Sequence, residues 1–323
     1  MLIDAYQRRF SYLRLSITES CNFRCTYCLP DGTDCDSRAG ELTLPEIRRL
    51  VTAFARLGTR KVRITGGEPS LRKDLTEIIA TCKAVPGIEK VALTTNGYRL
   101  KRDAAAWQAA GLDAVNVSVD SLDAATFHLV TGQDKLADIL AGVATAKAVG
   151  IKQVKINTVL LKQHNALALP DFLNFVKQQD LSLRFIELMR TNDNLSFYQR
   201  QHLSGASIQQ QLLAQGWQLQ QKGLSDGPAL EYAHPEYQGR VGLIMPYSKD
   251  FCADCNRLRV SSKGQLYLCL FTDSYQDLRS LLQSEHSAPL ERFLQQAVAG
   301  KAQSHQLQQQ HSGSTRHLAQ IGG

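Results

Sequence analysis

The sequence predicts an α/β protein: an incomplete (β/α)6 parallel barrel over residues 1–195, followed by a C-terminal α+β extension over 196–323. Three observations predict it. Apolar, β-branched runs alternate six times with helical periodicity, and βα units in series imply parallel strands joined by right-handed crossovers. The six units fit into fewer than about 200 residues, whereas a closed eight-stranded barrel takes about 250. Each strand-like run also leads directly into a polar or glycine-rich stretch, which gathers chemistry at one end of the sheet.

The first strand, Tyr12–Ile17, runs into a cysteine-rich loop, and a helix over Pro45–Leu57 opens at Thr43 or Leu44. Strand two, Lys61–Thr65, ends at Gly66-Gly67-Glu68-Pro69 and precedes a helix over Lys73–Ala84. Strand three, Val91–Thr95, leads into Asn96-Gly97 and an alanine-rich helix, Asp103–Ala110. Strand four, Val115–Val119, ends at Asp120-Ser121, with helical pattern out to Val149. Strand five, Val154–Leu160, precedes a helix at Asp171–Lys177, and strand six, Leu183–Leu188, ends at Met189. Beyond that the rhythm changes. Polar breaks fall at Asn192–Asn194 and Gly223–Pro228, glutamine-rich helices are expected over Gln209–Gln221 and Glu291–Gln310, and composition alone expects a frayed tail from Gln320 to Gly323.

Hydrophobic residues at 43% and charged ones at 21% exclude a disordered or collagen-like chain. No run of 18 apolar residues is available to span a membrane. The opening MLIDAYQRRF places charge where a signal peptide needs an apolar segment, so the expected compartment is the cytoplasm. Lys plus Arg (37) against Asp plus Glu (30) leaves +7, which suits an anionic partner such as a phosphorylated substrate or a nucleic acid.

Eight cysteines in a reducing compartment are not read as disulfides. Six form two sets: Cys21, Cys25 and Cys28, then Cys252, Cys255 and Cys269. Three thiolates from one short loop leave one iron of a [4Fe–4S] cluster open for chemistry. The alternative is a zinc knuckle completed by Cys35, although structural zinc sites are closed by four ligands. Cys35 and Cys82 are read as inert thiols, and the eight histidines, with no ligand spacing, as surface or satisfied residues. No Walker loop or nucleophile elbow is present, so nucleotide binding would fall to side-chain cations. Arg14, Arg63, Arg257 and Arg259 lie in strands or between cysteines, with Lys155 on strand five; charge in such places needs a partner.

Cys21-x3-Cys25-x2-Cys28, with Tyr27 before the last cysteine, resembles the signature of the radical S-adenosylmethionine (SAM) enzymes. Gly66-Gly67-Glu68-Pro69 resembles their SAM-binding loop. The second set, Cys252-x2-Cys255-x13-Cys269 followed through Asn256-Arg257-Leu258-Arg259, resembles the GTP 3′,8-cyclase family of molybdenum cofactor biosynthesis. The likeness also takes in Arg14–Ile17, Thr94–Gly97, Val117–Ser121, Arg184–Met189, Gly242–Pro246 and the terminal Gly322-Gly323.

The resemblance implies a radical SAM barrel whose extension carries a second [4Fe–4S] cluster on Cys252, Cys255 and Cys269. It implies that a 5′-deoxyadenosyl radical removes the ribose 3′ hydrogen of GTP and that C3′ then attacks guanine C8. It assigns Tyr27, Gly66, Gly67, Glu68, Ser118 and Met189 to SAM, and Arg14, Arg63, Thr94, Lys155, Arg257, Leu258 and Arg259 to GTP. Catalytic roles fall to Arg14, Arg257, Arg259, Gly322 and Gly323, the tail reaching into the active site. It further implies a flavodoxin- or ferredoxin-type electron donor, delivery of product to the next molybdopterin-pathway enzyme, a homodimer, and neither a membrane nor a nucleic-acid partner. Two other readings stay open: a different radical SAM enzyme with an auxiliary cluster acting on peptide or tRNA, and a zinc protein binding nucleic acid through basic surface.

Overall fold

A computed structural model describes residues 1–33, 40–223, 227–314 and 318–322; Cys35 lies outside them. The first half runs β1 (Tyr12–Ser16), α1 (Leu44–Arg56), β2 (Lys61–Thr65), α2 (Leu75–Ala84), β3 (Lys90–Thr95), α3 (Leu100–Ala109), β4 (Ala114–Ser118), α4 (Ala124–Thr131), α5 (Leu136–Ala148), β5 (Gln153–Leu160), α6 (Leu169–Lys177) and β6 (Ser182–Glu187). The second runs α7 (Leu195–Gln201), α8 (Gly205–Ala214), β7 (Gln218–Leu219), β8 (Leu230–Ala233), β9 (Arg240–Ile244), β10 (Arg257–Val260), β11 (Gln265–Tyr267), β12 (Gln276–Asp277), α9 (Ala288–Ala299) and α10 (Leu318–Ile321). No described helix is long and apolar enough to cross a membrane.

The helices form for local reasons. At α1, Thr43 and Glu46 close a capping box ahead of an apolar stripe that buries Ile47, Leu50, Val51 and Phe54 against the sheet. The pattern expected to stay helical to Val149 instead breaks into α4 and α5, because Gly132 ends α4 with φ +71°.

β1 to β6 pair in sequence order and in parallel, as the alternating pattern predicts. Strand residues alternate across the sheet. Leu13, Leu15, Val62, Ile64, Leu93, Val115, Val117, Ile156 and Leu183 join the core under the helices. Their neighbours Arg14, Arg63, Thr94, Asn116 and Arg184 line the concave side, while Lys155, in register beside Asn116, is not among the lining residues.

The chain beyond Met189 does not stand apart from this sheet. β9 adds to β6 in parallel and β10 adds to β1 in parallel, so eight parallel strands form one surface that crosses the 195/196 position. Antiparallel β11–β12 and β8–β7 finish its two edges. The helix expected over Gln209–Gln221 ends at Ala214: Gly216 takes φ +88°, Trp217 buries, and Gln218–Leu219 becomes an edge strand. The helix expected over Glu291–Gln310 stops at Ala299, before Gly300, and only a 3-10 turn forms at Leu307–Gln309. The tail expected to fray is packed instead, with Ile321 fully buried.

Candidate functional site

The concave side of the sheet encloses one large cavity, and most polar residues singled out from the sequence line it. Strand register brings its cations together. Arg14 sits between Arg63 and Arg259 on the neighbouring strands, and Tyr12 between Lys61 and Arg257. Asn116 faces Lys155 across β4 and β5. Lys61, Arg184 and Lys301 add three cations that motif reading missed, against the carboxylates of Asp120 and Glu187 among the described lining residues. Alternation alone would have found two neighbours, since Tyr12 and Lys61 stand two positions before Arg14 and Arg63.

Crowded charge out of water shifts several ionisations around the cavity. Burial brings Arg14 down to about 10, Lys61 to about 8 and Lys155 to about 7; Arg184 adds repulsion at Lys155 that Glu231 partly offsets. Arg259 lies well below its usual value, through burial and then Arg14 and Arg257. Burial would raise the Tyr12 phenol, but Arg63, Arg14 and Lys61 outweigh it and hold Tyr12 well below its usual value. Its oxygen accepts from Arg63 Nε at 2.5 Å. Beside Lys155, Glu231 takes both Nε and Nη2 of Arg184, at 2.9 and 2.5 Å. Such crowding of cations suits a negatively charged ligand, which would relieve the repulsion.

At the carboxyl ends of β1 and β2, the loop carrying Cys21, Cys25 and Cys28 is strapped to the glycine loop: Gly67 N donates to Thr18 O (2.9 Å) and Glu68 N to Ser20 O (2.8 Å). A Cβ on Gly66 or Gly67 would lie 2.3 Å from the Thr18 or Ser20 carbonyl oxygen, so no other residue fits this contact. Glu68 does not line the cavity. Its carboxylate accepts from Ser70 N (2.9 Å), Thr95 Oγ1 (2.7 Å) and Asn96 N (2.6 Å), tying this loop to the end of β3. Tyr27 donates to Asp120 Oδ2 (2.9 Å), and Asp120 Oδ1 accepts from Val159 N. Burial lifts Asp120 to about 6 despite both bonds. Ser118 and Met189 line the same end, Met189 held by Asn194 Nδ2 on its carbonyl at 3.0 Å.

Across the cavity stand Cys252, Cys255 and Cys269. Burial raises Cys21 to about 11, Cys28 to about 12 and Cys25 well above its usual value. At the second set burial pushes the same way and loses. The nearby His305 side chain and backbone and the Ser304 side chain bring Cys252 to about 6, and Arg257 and Lys301 lower Cys255. The seven cysteines among the described residues are all free thiols. No three described His, Cys, Asp or Glu side chains are gathered for a single metal ion; a cubane places each thiolate on its own iron, wider apart than the ligands of one ion. Three soft sulfur donors from one loop, facing a backbone cradle that only glycine permits, fit a [4Fe–4S] cluster with SAM beside it.

Between the triads lies the chain's end. The Gly322 carbonyl accepts from Arg14 Nε at 3.1 Å and Arg259 Nη1 at 2.5 Å. Gly322 is buried with φ +67°, and a Cβ there would meet Thr65 Cγ2 at 2.0 Å. Gly323 lies outside the described residues. Leu258, expected at GTP, turns its side chain into the core: on a strand with Arg257 and Arg259 facing inward, the residue between must face out.

Two family models divide the chain: the Radical SAM superfamily matches residues 15–176 and Molybdenum Cofactor Synthesis C matches 181–307. The sequence is 54% identical over 325 residues to the GTP 3′,8-cyclase of Cronobacter sakazakii, covering all of this chain and 99% of that one. It is 55% identical to the GTP 3′,8-cyclases of Actinobacillus pleuropneumoniae serotype 3 and Aeromonas hydrophila, covering this chain fully and 95% and 96% of theirs. Among solved structures, Streptococcus suis SuiB bound to S-adenosylmethionine matches with TM-score 0.63 over 90% of this chain and 68% of its own, at 12% identity, a likeness of fold.

Proposed function

This chain belongs to the GTP 3′,8-cyclase family of the radical SAM superfamily, and from that membership we infer how its cavity divides between cofactor and substrate. It is a radical SAM enzyme that converts GTP to (8S)-3′,8-cyclo-7,8-dihydroguanosine 5′-triphosphate in molybdenum cofactor biosynthesis. A [4Fe–4S] cluster with SAM supplies, when bound, the radical that removes the ribose 3′ hydrogen of GTP so that C3′ can bond to guanine C8.

In this reading Cys21, Cys25 and Cys28 hold that cluster, and the Gly66-Gly67 backbone, Tyr27, Ser118 and Met189 surround SAM. Glu68 acts from behind, fixing the loop through Ser70, Thr95 and Asn96. Arg63, Lys155, Lys61 and Arg184 take the triphosphate, while Arg14, Arg257 and Arg259 stand nearer the guanine end beside a second [4Fe–4S] cluster on Cys252, Cys255 and Cys269. Thr94 lies on the wall between them. The Gly322 carbonyl holds Arg14 and Arg259 in fixed directions, and Gly323 completes the tail. The enclosing strands exclude water and keep the reacting carbons close, which is the protein's main contribution to a radical cyclisation.

One observation carries this reading: two cysteine triads face each other across a single cation-lined cavity with the chain terminus pinned between them. A reducing cytoplasm, a flavodoxin- or ferredoxin-type reductant, a homodimer and transfer of product to the next molybdopterin-pathway enzyme complete the proposal. Anaerobic incubation with SAM, reductant and GTP, ATP or UTP tests it by mass analysis. The cyclised product is expected from GTP alone; uncoupled SAM cleavage with every nucleotide intact would overturn it.

A further inference from the structure

The second cysteine triad has a neighbour to which no role has been given. Sequence spacing marks His305 as ordinary, yet it lines the cavity beside Cys252. Its ring is packed by Phe251 and Phe271, with centroids 6.0 and 5.3 Å away, the second edge-on at 78°. Nδ1 accepts from Leu307 N at 3.3 Å, which leaves the proton of the neutral ring on Nε2. That Nε2 is buried and has no hydrogen-bond partner among the described residues. A buried donor is rarely left without an acceptor, and the Cys252 sulfur lines the same cavity, next in the chain to the Phe251 that packs the His305 ring.

The segment is held there firmly. Arg8, only 8% exposed, donates through Nη1 to the carbonyls of Cys252 (3.0 Å) and Gln303 (2.5 Å), through Nη2 to Ala302 (2.7 Å), and is braced by Asp4 through Nε at 2.6 Å. Lys301 Nζ donates to the carbonyl of Leu268, next to Cys269. Residues 301–305 therefore bridge both loops that present the triad.

We propose that His305 is a positioning residue for the second triad, its Nε2–H donating to the Cys252 sulfur and so setting the reduction potential of the iron–sulfur cluster held there. The inference rests on the reading of Cys252, Cys255 and Cys269 as cluster ligands. A hydrogen bond to a ligating sulfur draws electron density from the cluster and favours its reduced form, so the donor raises the potential.

The test uses the anaerobically reconstituted enzyme, with iron counted first and the midpoints of both clusters then measured by EPR-monitored redox titration. His305→Phe keeps an aromatic ring between Phe251 and Phe271 without the donor; His305→Gln keeps a side-chain N–H. His305→Phe is expected to shift the second cluster's reduction equilibrium at least tenfold toward the oxidised form, about 59 mV for one electron. His305→Gln should recover at least half the shift, and the first cluster should not move. Wild-type midpoints in His305→Phe, or equal shifts in both variants, overturn the proposal. Loss of the second cluster's iron from both variants also overturns it, in favour of plain packing. Nitrogen coupling from His305 to this cluster in the nucleotide-free enzyme would make it a ligand and overturn it too. A wild-type chain holding only one cluster would bring down the reading of the triad itself.

Discussion

Replacing Gly322 by Ala probes the pinned terminus with a single methyl group. The residue's φ of +67° costs an L-residue about 1–2 kcal/mol. The added carbon would also lie 2.0 Å from Cγ2 and 2.7 Å from Oγ1 of Thr65, a side chain itself only 2% exposed and unable to retreat. The tail must therefore lift, and its carbonyl loses Arg14 and Arg259 together. Two charge-assisted hydrogen bonds at about 1.5–3 kcal/mol each give roughly 3–6 kcal/mol of lost docking. At 1.4 kcal/mol per decade the lower figure means about a 100-fold loss of the docked population. Product formation, measured by mass spectrometry under anaerobic turnover, should fall about 100-fold with iron content unchanged. Hydrogen exchange over residues 318–322 should rise in parallel. Thr65→Ala removes the two nearer atoms, keeping only Cβ at 2.9 Å, and should return part of the loss in the double variant, a coupling of about 1 kcal/mol or more. Wild-type turnover by Gly322→Ala, with protection of 318–322 unchanged, would refute the reasoning.

Lys155, held down to about 7, must regain its proton to meet a triphosphate, so GTP binding takes up a proton above about pH 7. GTP affinity, measured calorimetrically, should weaken by up to about tenfold per unit from pH 7 upward. Lys155→Met should flatten that slope, leaving a residue above about pH 8 from Lys61; a slope unchanged by the substitution would contradict the assignment. Cys25→Ala should cut iron from about eight to about four per chain and abolish SAM cleavage, while the second cluster's EPR signal persists. Glu68→Ala strands three buried donors and should cost about 3–5 kcal/mol in denaturant unfolding, with Glu68→Gln recovering part; a loss below about 1 kcal/mol would deny Glu68 its bracing role.

What was legible in the sequence is what depends on near neighbours in the chain. Cys21, Cys25, Cys28 and the two glycines of the SAM loop announce themselves by spacing, and β1 to β6 by alternation with helices. The junctions of β9 with β6 and β10 with β1 were not legible, because pairing between strands far apart in the chain leaves no local mark. Leu258 was misplaced for the opposite reason: its motif was read as a block, when the strand beneath it sends alternate residues to opposite faces. The long glutamine-rich helices failed where Gly216 and Gly300 stop them. His305 could not be found at all by spacing, since it reaches Cys252 only through the fold and the Arg8 clamp.

The most direct test of the central claim, that this cavity brings the ribose of GTP to the radical formed at the first cysteine triad, is turnover with GTP deuterated at ribose C3′. The 5′-deoxyadenosine released should carry the deuterium, and the cyclised triphosphate should appear in matching amount. Unlabelled 5′-deoxyadenosine formed alongside intact deuterated GTP would contradict the account.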